Sequence, residues 1–278
     1  MTTPTLSRTH QQREELTAQL EAGVAALRES GEYQRWLDTA ARFHSYSWGN
    51  QLLISIQRPD ATRVAGFHAW KGLGRHVLKG EHGIRILAPT RFQKTCECGD
   101  ACDCRATGEA IGFRTVSVFD VAQTDGAALP EIVTLLAGDG LGLTPALAAL
   151  ATAEGLTVDR DPANARNGAN GYYSRDRALI WVRPDVDDAQ AAKTLAHELA
   201  HHFAEHKVNG HCREEGEIIA ESVAYIVMGH FGIDAGGYTF GYLASWTPDN
   251  PKLFREKLGE IQRAAATIID KLEEYQPC

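Results

Sequence analysis

The run His197-Glu198-Leu199-Ala200-His201 has the residue types and spacing of a metal-assisted hydrolytic site. On a helix, His197 and His201 stand one turn apart and leave the same face. Two imidazoles so placed can grip one Zn2+. Glu198 falls about 100° round the axis, beside the metal rather than under it. From there it can take the proton of a water activated by the ion. The chemistry implied is peptide-bond hydrolysis, with Zn2+ as cofactor and a protein or peptide as substrate.

A catalytic zinc needs a third protein ligand and an open position. His206 and His211 are near in sequence, but no histidine follows His201 by six residues, because position 207 is Lys. Glu217 and Glu221, four apart in GEIIAESVAYIV, share one helix face. Ile218, Ile219, Val223, Tyr225 and Ile226 leave little of that helix for solvent, so its carboxylates require a cation or a donor. Glu217 is read as the ligand and Glu221 as the acid that hydrogen-bonds a ligand imidazole, with the reverse assignment left open. Tyr225, His230, Tyr238 and Tyr242 are all open as the oxyanion donor.

These residues need rigid elements to hold them. Leu195, Leu199 and Phe203 form an apolar stripe opposite the histidine pair, and the pattern predicts a helix over 188–206. A second helix is expected over 213–229 and an amphipathic one from 251 to about 275. Before them come a helix near 144–154, with Thr144 as its cap, and short strands at 156–159, 170–174 and 178–183. The first part of the chain reads as helices over 8–29, 32–44, 48–57 and 65–72, then strands at 76–79, 83–88 and 111–120. Gly and Pro in 121–130 end the sheet pattern. The fold class expected is α+β, with domains at 1–125 and 126–278.

Charge divides along the same line. The net charge is −8, made of +1 over 1–125 and −9 over 126–278. Residues 58–94 carry 8 basic and 2 acidic groups, interleaved with Phe67 and Trp70. Cations that track phosphates beside flat rings that stack on bases suit single-stranded nucleic acid. Four cysteines, Cys96, Cys98, Cys102 and Cys104, lie within nine residues. Four thiolates can hold a second metal, but this spacing is tighter than the usual pair of CxxC motifs; the alternative is an inserted loop of free thiols. An apolar fraction of 44% excludes global disorder. No apolar run approaches a membrane span, and the polar first residues offer no secretory signal, so a cytoplasmic location is expected.

Two resemblances sharpen this reading. The second half resembles the gluzincin-type metallopeptidases, in which a glutamate helix follows HExxH. Glu217 and Glu221 match the ligand and supporting acid of thermolysin-like members, with Glu in place of Asp at the second position. The first half resembles the N-terminal domain of ArdC-type antirestriction proteins. The matches run through Tyr46–Ile54, Gln57–Thr62, Gly66-Phe67, Trp70, Gly74-Arg75, Lys79-Gly80-Glu81, Ile86–Pro89, Val118–Val121 and Gln123-Thr124. That family joins a single-stranded-DNA-binding domain to a zincin-like domain. The resemblance implies a protein of mobile genetic elements, with Asn50, Gln51, Arg58, Trp70, Arg75 and Lys79 as candidate DNA contacts. Three functions follow: a DNA-associated metallopeptidase, a DNA-binding shield whose zinc domain is structural, and a peptidase that cleaves a repressor.

Overall fold

The computed structural model describes residues 8–91, 110–129, 142–166, 168–204, 213–233 and 251–274. Its elements in chain order are α1 (Arg8–Ala26), α2 (Ser30–Arg42), α3 (Trp48–Gln57), β1 (Val64–Gly66), α4 (Phe67–Gly72), β2 (Arg75–Val77), β3 (Ile84–Arg91), β4 (Ala110–Asp120) and β5 (Thr124–Gly126). Then follow α5 (Leu143–Ala153), β6 (Thr157–Asp159), β7 (Gly171–Ser174), β8 (Leu179–Val182), α6 (Asp188–Phe203), α7 (Arg213–His230) and α8 (Pro251–Glu274). The class is α+β. Among the described residues no helix is long and apolar enough to cross a membrane.

The chain forms two compact units: residues 1–23 with 52–129, and residues 24–51 with 130–278. A single cut at 125/126 therefore does not describe them, because residues 24–51 join the C-terminal unit. The segment carries Tyr33, Trp36 and Leu37, which are fully buried. Nothing in its sequence says which core will receive them.

The first unit is built on an antiparallel sheet in the order β1-β4-β3 and a ribbon of β2 with β5. β5 falls where Gly and Pro suggested the end of the sheet. Three residues, Thr-Asp-Gly, carry no strand pattern; Gly126, at φ +133°, allows the approach, since a Cβ there would sit 2.4 Å from the Gly74 carbonyl. Asp120 is a buried polar hub. Its carboxylate accepts the backbone N–H groups of Thr62, Arg63 and Ala122, and its own N–H donates to Gln123 Oε1. Gln123 Nε2 donates to Glu81 Oε2 and to the His82 carbonyl. Every buried group there is paired, as burial demands. Gln57 exchanges both hydrogen bonds with the Arg85 backbone and so covers the outer edge of β3.

The second unit has a small sheet in the order β6-β8-β7, parallel between β6 and β8 and antiparallel between β8 and β7. Trp181 of β8 is buried, and Tyr172 stacks on it with centroids 5.7 Å apart. α6 and α7 pack side by side, with Leu195, Leu199, Ile219, Val223 and Ile226 buried. α2 packs on α7 through two tyrosine hydroxyls: Tyr33 Oη lies 2.8 Å from Ser222 Oγ, and Tyr225 Oη donates to Asp38 Oδ1 at 2.6 Å. Thr144 is not the cap of α5. That place is taken by Gly142, and the Thr144 hydroxyl donates to the Asp188 carbonyl at the start of α6.

Candidate metal centre

α6 begins where the Asp187 carboxylate accepts the Gln190 N–H, satisfying one of the free amides of the first turn. Its buried stripe fixes its rotation. His197 and His201 are thereby turned toward α7, where Ile219 and Val223 fix the rotation of Glu217 and Glu221 in the same way.

The side chains meet. His197 Nε2 and His201 Nε2 are 3.1 Å apart. Glu217 Oε2 lies 3.3 Å from the first and 3.8 Å from the second. Ligands about 2.0–2.1 Å from a tetrahedral ion stand roughly 3.3 Å from one another. The donor set therefore fits a Zn2+-sized dication: two imidazole nitrogens and one carboxylate oxygen, spaced to enclose it. Glu221 lies behind this group. Its Oε2 is 3.0 Å from His197 Nδ1 and its Oε1 is 3.4 Å from Lys193 Nζ. A hydrogen bond from Nδ1–H to this carboxylate fixes the tautomer that leaves Nε2 free to bind a metal. The alternative left open by the sequence, Glu221 as ligand, does not match this arrangement.

Electrostatics follow from the same contacts. Burial disfavours charge on His197, but Glu217, Glu221 and nearby Glu198 outweigh it and hold its pKa up at about 9. Hydrogen bonds from His197 and His201 hold Glu217 far below the usual carboxylate range. Glu198 is buried, at 6% exposure. Burial pushes its pKa up to about 7 and Glu217 adds to this, while the charge of His197 and the Tyr173 backbone N–H act against it. A carboxyl poised near neutrality is suited to exchanging a proton at physiological pH.

β7 runs beside Glu198. A Cβ on Gly171 would stand 2.2 Å from Thr194 Cγ2 and 3.3 Å from Glu198 Oε1, so only glycine lets the strand come this close to α6. The Tyr173 amide that reaches Glu198 was not visible in the sequence, where GYYS reads only as a short strand. Of the expected oxyanion donors, Tyr225 is turned to Asp38 and His230 Nδ1 is bonded to the Ala41 carbonyl. Tyr238 and Tyr242 lie outside the described residues, as do His206, His211 and the four cysteines Cys96, Cys98, Cys102 and Cys104.

The expected DNA contacts separate into two groups. Gln51 is 1% exposed and donates to the Phe43 carbonyl; Trp70 is 2% exposed and donates to the Phe119 carbonyl. Both are corrected to structural roles, since a buried indole has no free face for a base. Arg75 is also engaged, donating to Thr124 Oγ1 and the Thr124 carbonyl across the β2–β5 ribbon. Asn50 is half-buried, and its backbone N–H donates to Ser47 Oγ. Lys79 is exposed, and Arg58 is part-exposed beside a groove of about 490 Å3 that also meets His82 and Arg85. Among the described residues, Phe67 and Phe113 are the large apolar rings that face solvent.

Comparison with known proteins agrees with this architecture. Residues 9–119 match the family model described as the N-terminal domain of anti-restriction factor ArdC, and residues 151–237 match the IrrE N-terminal-like domain. An uncharacterized protein of Bacillus anthracis is 26% identical over 270 residues, which cover 82% of this chain but only 45% of that protein. The chain thus spans less than half the length of that relative. The metal-free crystal structure of the antirestriction protein ArdC from the R388 plasmid is 22% identical with a TM-score of 0.55, covering 82% of this chain and 86% of that one. The Mn(II)-bound structure of the same protein is 20% identical with a TM-score of 0.57, covering 94% and 99%. The chain thus combines a segment similar to the ArdC N-terminal domain with one similar to the IrrE N-terminal-like domain, and shares the fold of the R388 ArdC structures.

Proposed function

We propose that this chain is a DNA-associated zinc metallopeptidase of the antirestriction type, acting in the cytoplasm. The observation that supports it most is the meeting of His197, His201 and Glu217 with a buried Glu198 alongside. The three would hold the ion, and Glu221 would keep His197 in the right tautomer. When bound, the ion lowers the pKa of a water toward neutrality and polarises a substrate carbonyl. Glu198 then acts as base, accepting a proton from the attacking water and passing it to the leaving nitrogen. Its burial favours the protonated form through which this transfer passes. The manganese named for the R388 protein is consistent with a dication at such a donor set.

Among the described residues β7 is an edge strand, paired with β8 on one side. An extended peptide laid along its outer side would gain backbone hydrogen bonds and pass next to Glu198. The N-terminal unit supplies the DNA contact through Lys79, Arg58 and the exposed rings.

Glu198→Gln separates this reading from a DNA-binding shield with a structural metal. The variant should bind zinc as before and lose hydrolysis of any trapped protein substrate by about 100-fold or more. Unchanged DNA protection by the variant would make hydrolysis irrelevant to protection and favour the shield.

A further inference from the structure

The acidic half of the chain holds one basic stretch that the metal centre leaves unused. Residues 160–183 carry five arginines, Arg160, Arg166, Arg175, Arg177 and Arg183, against two acids, Asp161 and Asp176, within a half whose net charge is −9. The Asp161 carboxylate accepts the Ala163 N–H, and Arg183 lies 4.0 Å from Asp185. Among the described residues no carboxylate comes within ion-pair distance of Arg166 or Arg177. Both are exposed, and both are held in place by Tyr172 of β7. The Arg166 guanidinium carbon lies 3.8 Å from the centroid of the Tyr172 ring. Arg177 Nη2 donates to Tyr172 Oη at 3.2 Å, and its Nε donates to Ser174 Oγ at 3.4 Å. Tyr172 is fixed in turn, since its ring stacks on buried Trp181 and its hydroxyl donates to the Asn164 carbonyl at 3.2 Å.

Successive side chains of a strand leave opposite faces. Gly171 and Tyr173 face α6: a Cβ on Gly171 would meet Thr194 and Glu198, and Tyr173 Oη is 3.1 Å from His202 Nδ1. Tyr172 and Ser174 therefore face away from α6, and Arg166 and Arg177 rest on them. The Tyr173 N–H reaches Glu198, so the free edge of β7 is turned to that carboxyl. A chain added there keeps the same alternation, and its residue opposite Tyr172 puts its side chain on the face of the two arginines. A guanidinium that is anchored by a ring or a hydroxyl but has no carboxylate can receive an acid with little loss of side-chain freedom. A nucleic acid matches this face less well, because Arg166 and Trp181 already cover the Tyr172 ring and leave no open face for a base.

We propose that Arg166 and Arg177, mounted on Tyr172, form a specificity face for an extended acidic peptide added to the free edge of β7, with Asp or Glu at the position opposite Tyr172. The inference rests on the peptidase reading above and names the substrate class of that site. Alternation is part of it: acids that fall on the α6 face of the added chain approach Glu198 and Glu217 instead and are disfavoured there.

Fluorescence anisotropy with zinc-loaded Glu198→Gln protein tests it without hydrolysis. The probes are labelled octapeptides in which Thr alternates with Glu, with Gln or with Lys, and a block peptide of the Thr–Glu composition with its acids grouped at one end. The alternating Thr–Glu peptide should bind about 10-fold more tightly than the Thr–Gln peptide and more tightly than the block peptide, with Thr–Lys weakest. Adding Arg166→Gln and Arg177→Gln, both on exposed side chains, should bring Thr–Glu down to the Thr–Gln level and leave Thr–Gln unchanged. Equal affinity for Thr–Glu and Thr–Gln, for the alternating and block peptides, or equal losses for Thr–Glu and Thr–Gln in the arginine variant, overturns this inference and leaves the peptidase reading standing. Failure of every peptide to bind overturns both. A single-stranded oligonucleotide whose affinity falls in the arginine variant by as much as that of Thr–Glu would assign the face to nucleic acid and overturn the inference as well.

Discussion

At the scale of single residues, the four side chains at the proposed metal centre have unequal parts, and substitution should expose the difference. Glu217 offers an oxygen 3.3 Å from His197 Nε2, whereas Glu221 contacts the far nitrogen of the same ring. Glu217→Ala should therefore nearly abolish zinc binding, while Glu221→Ala should weaken it by about 10- to 100-fold, the usual effect of removing a ligand's supporting carboxylate. Competition with a zinc indicator measures both; equal losses would mean that Glu221 is itself a ligand. The pairing of His197 with His201 and of Glu217 with Glu221 on shared faces was legible in the sequence because helical periodicity is strict: four residues apart means one face. What the sequence left open was which carboxylate points forward. That depends on the packing of α7 against α6, which places Glu217 beside the Nε2 atoms and Glu221 beside Nδ1.

At the scale of elements, the site depends on how closely β7 and α6 approach. Gly171 has no space for a side chain, since Thr194 Cγ2 would lie 2.2 Å away. Gly171→Ala should cost about 1–3 kcal/mol, as overpacking does, and should displace the Tyr173 amide from Glu198. Urea unfolding reads the first effect; a larger loss in hydrolysis than in zinc affinity reads the second. The other support of the site is α2. Ser222 Oγ donates to the Ile218 carbonyl and so receives the Tyr33 hydroxyl as acceptor. Tyr33→Phe should lower stability by about 1 kcal/mol and leave the rest of the core in place, whereas Trp36→Ala should cost about 3–5 kcal/mol. If urea unfolding shows no difference between these variants, α2 is not part of the cooperative unit. The helices and most strands could be read from the sequence because apolar residues recur at their periods. β1 and β5 could not, being three residues long, and the membership of α2 could not because a buried stripe does not name its partner.

At the scale of the whole molecule, charge decides where nucleic acid can bind. The chain carries −8 overall, yet residues 58–94 hold 8 basic groups against 2 acidic ones, so a polyanion is attracted to one stretch and repelled by most of the rest. Binding confined in this way involves few phosphates. Affinity for a single-stranded oligonucleotide should fall with salt, at a log–log slope of about −0.7 for each phosphate neutralised. Lys79→Ala and Arg58→Ala should each flatten that slope. The aromatic contribution must come from rings that face solvent. Trp70 was the obvious choice by type and spacing, but its indole is enclosed and bonded to the Phe119 carbonyl. Phe67, half exposed on α4, is the better platform. Phe67→Ala should therefore weaken single-strand binding by about 1–3 kcal/mol with little change in unfolding, and Trp70→Ala should do the reverse. Fluorescence anisotropy at two salt concentrations, with a duplex of the same sequence as control, carries the whole test. Equal affinity for duplex and single strand, or indifference to Phe67→Ala, would leave phosphate attraction alone and remove stacking from the account.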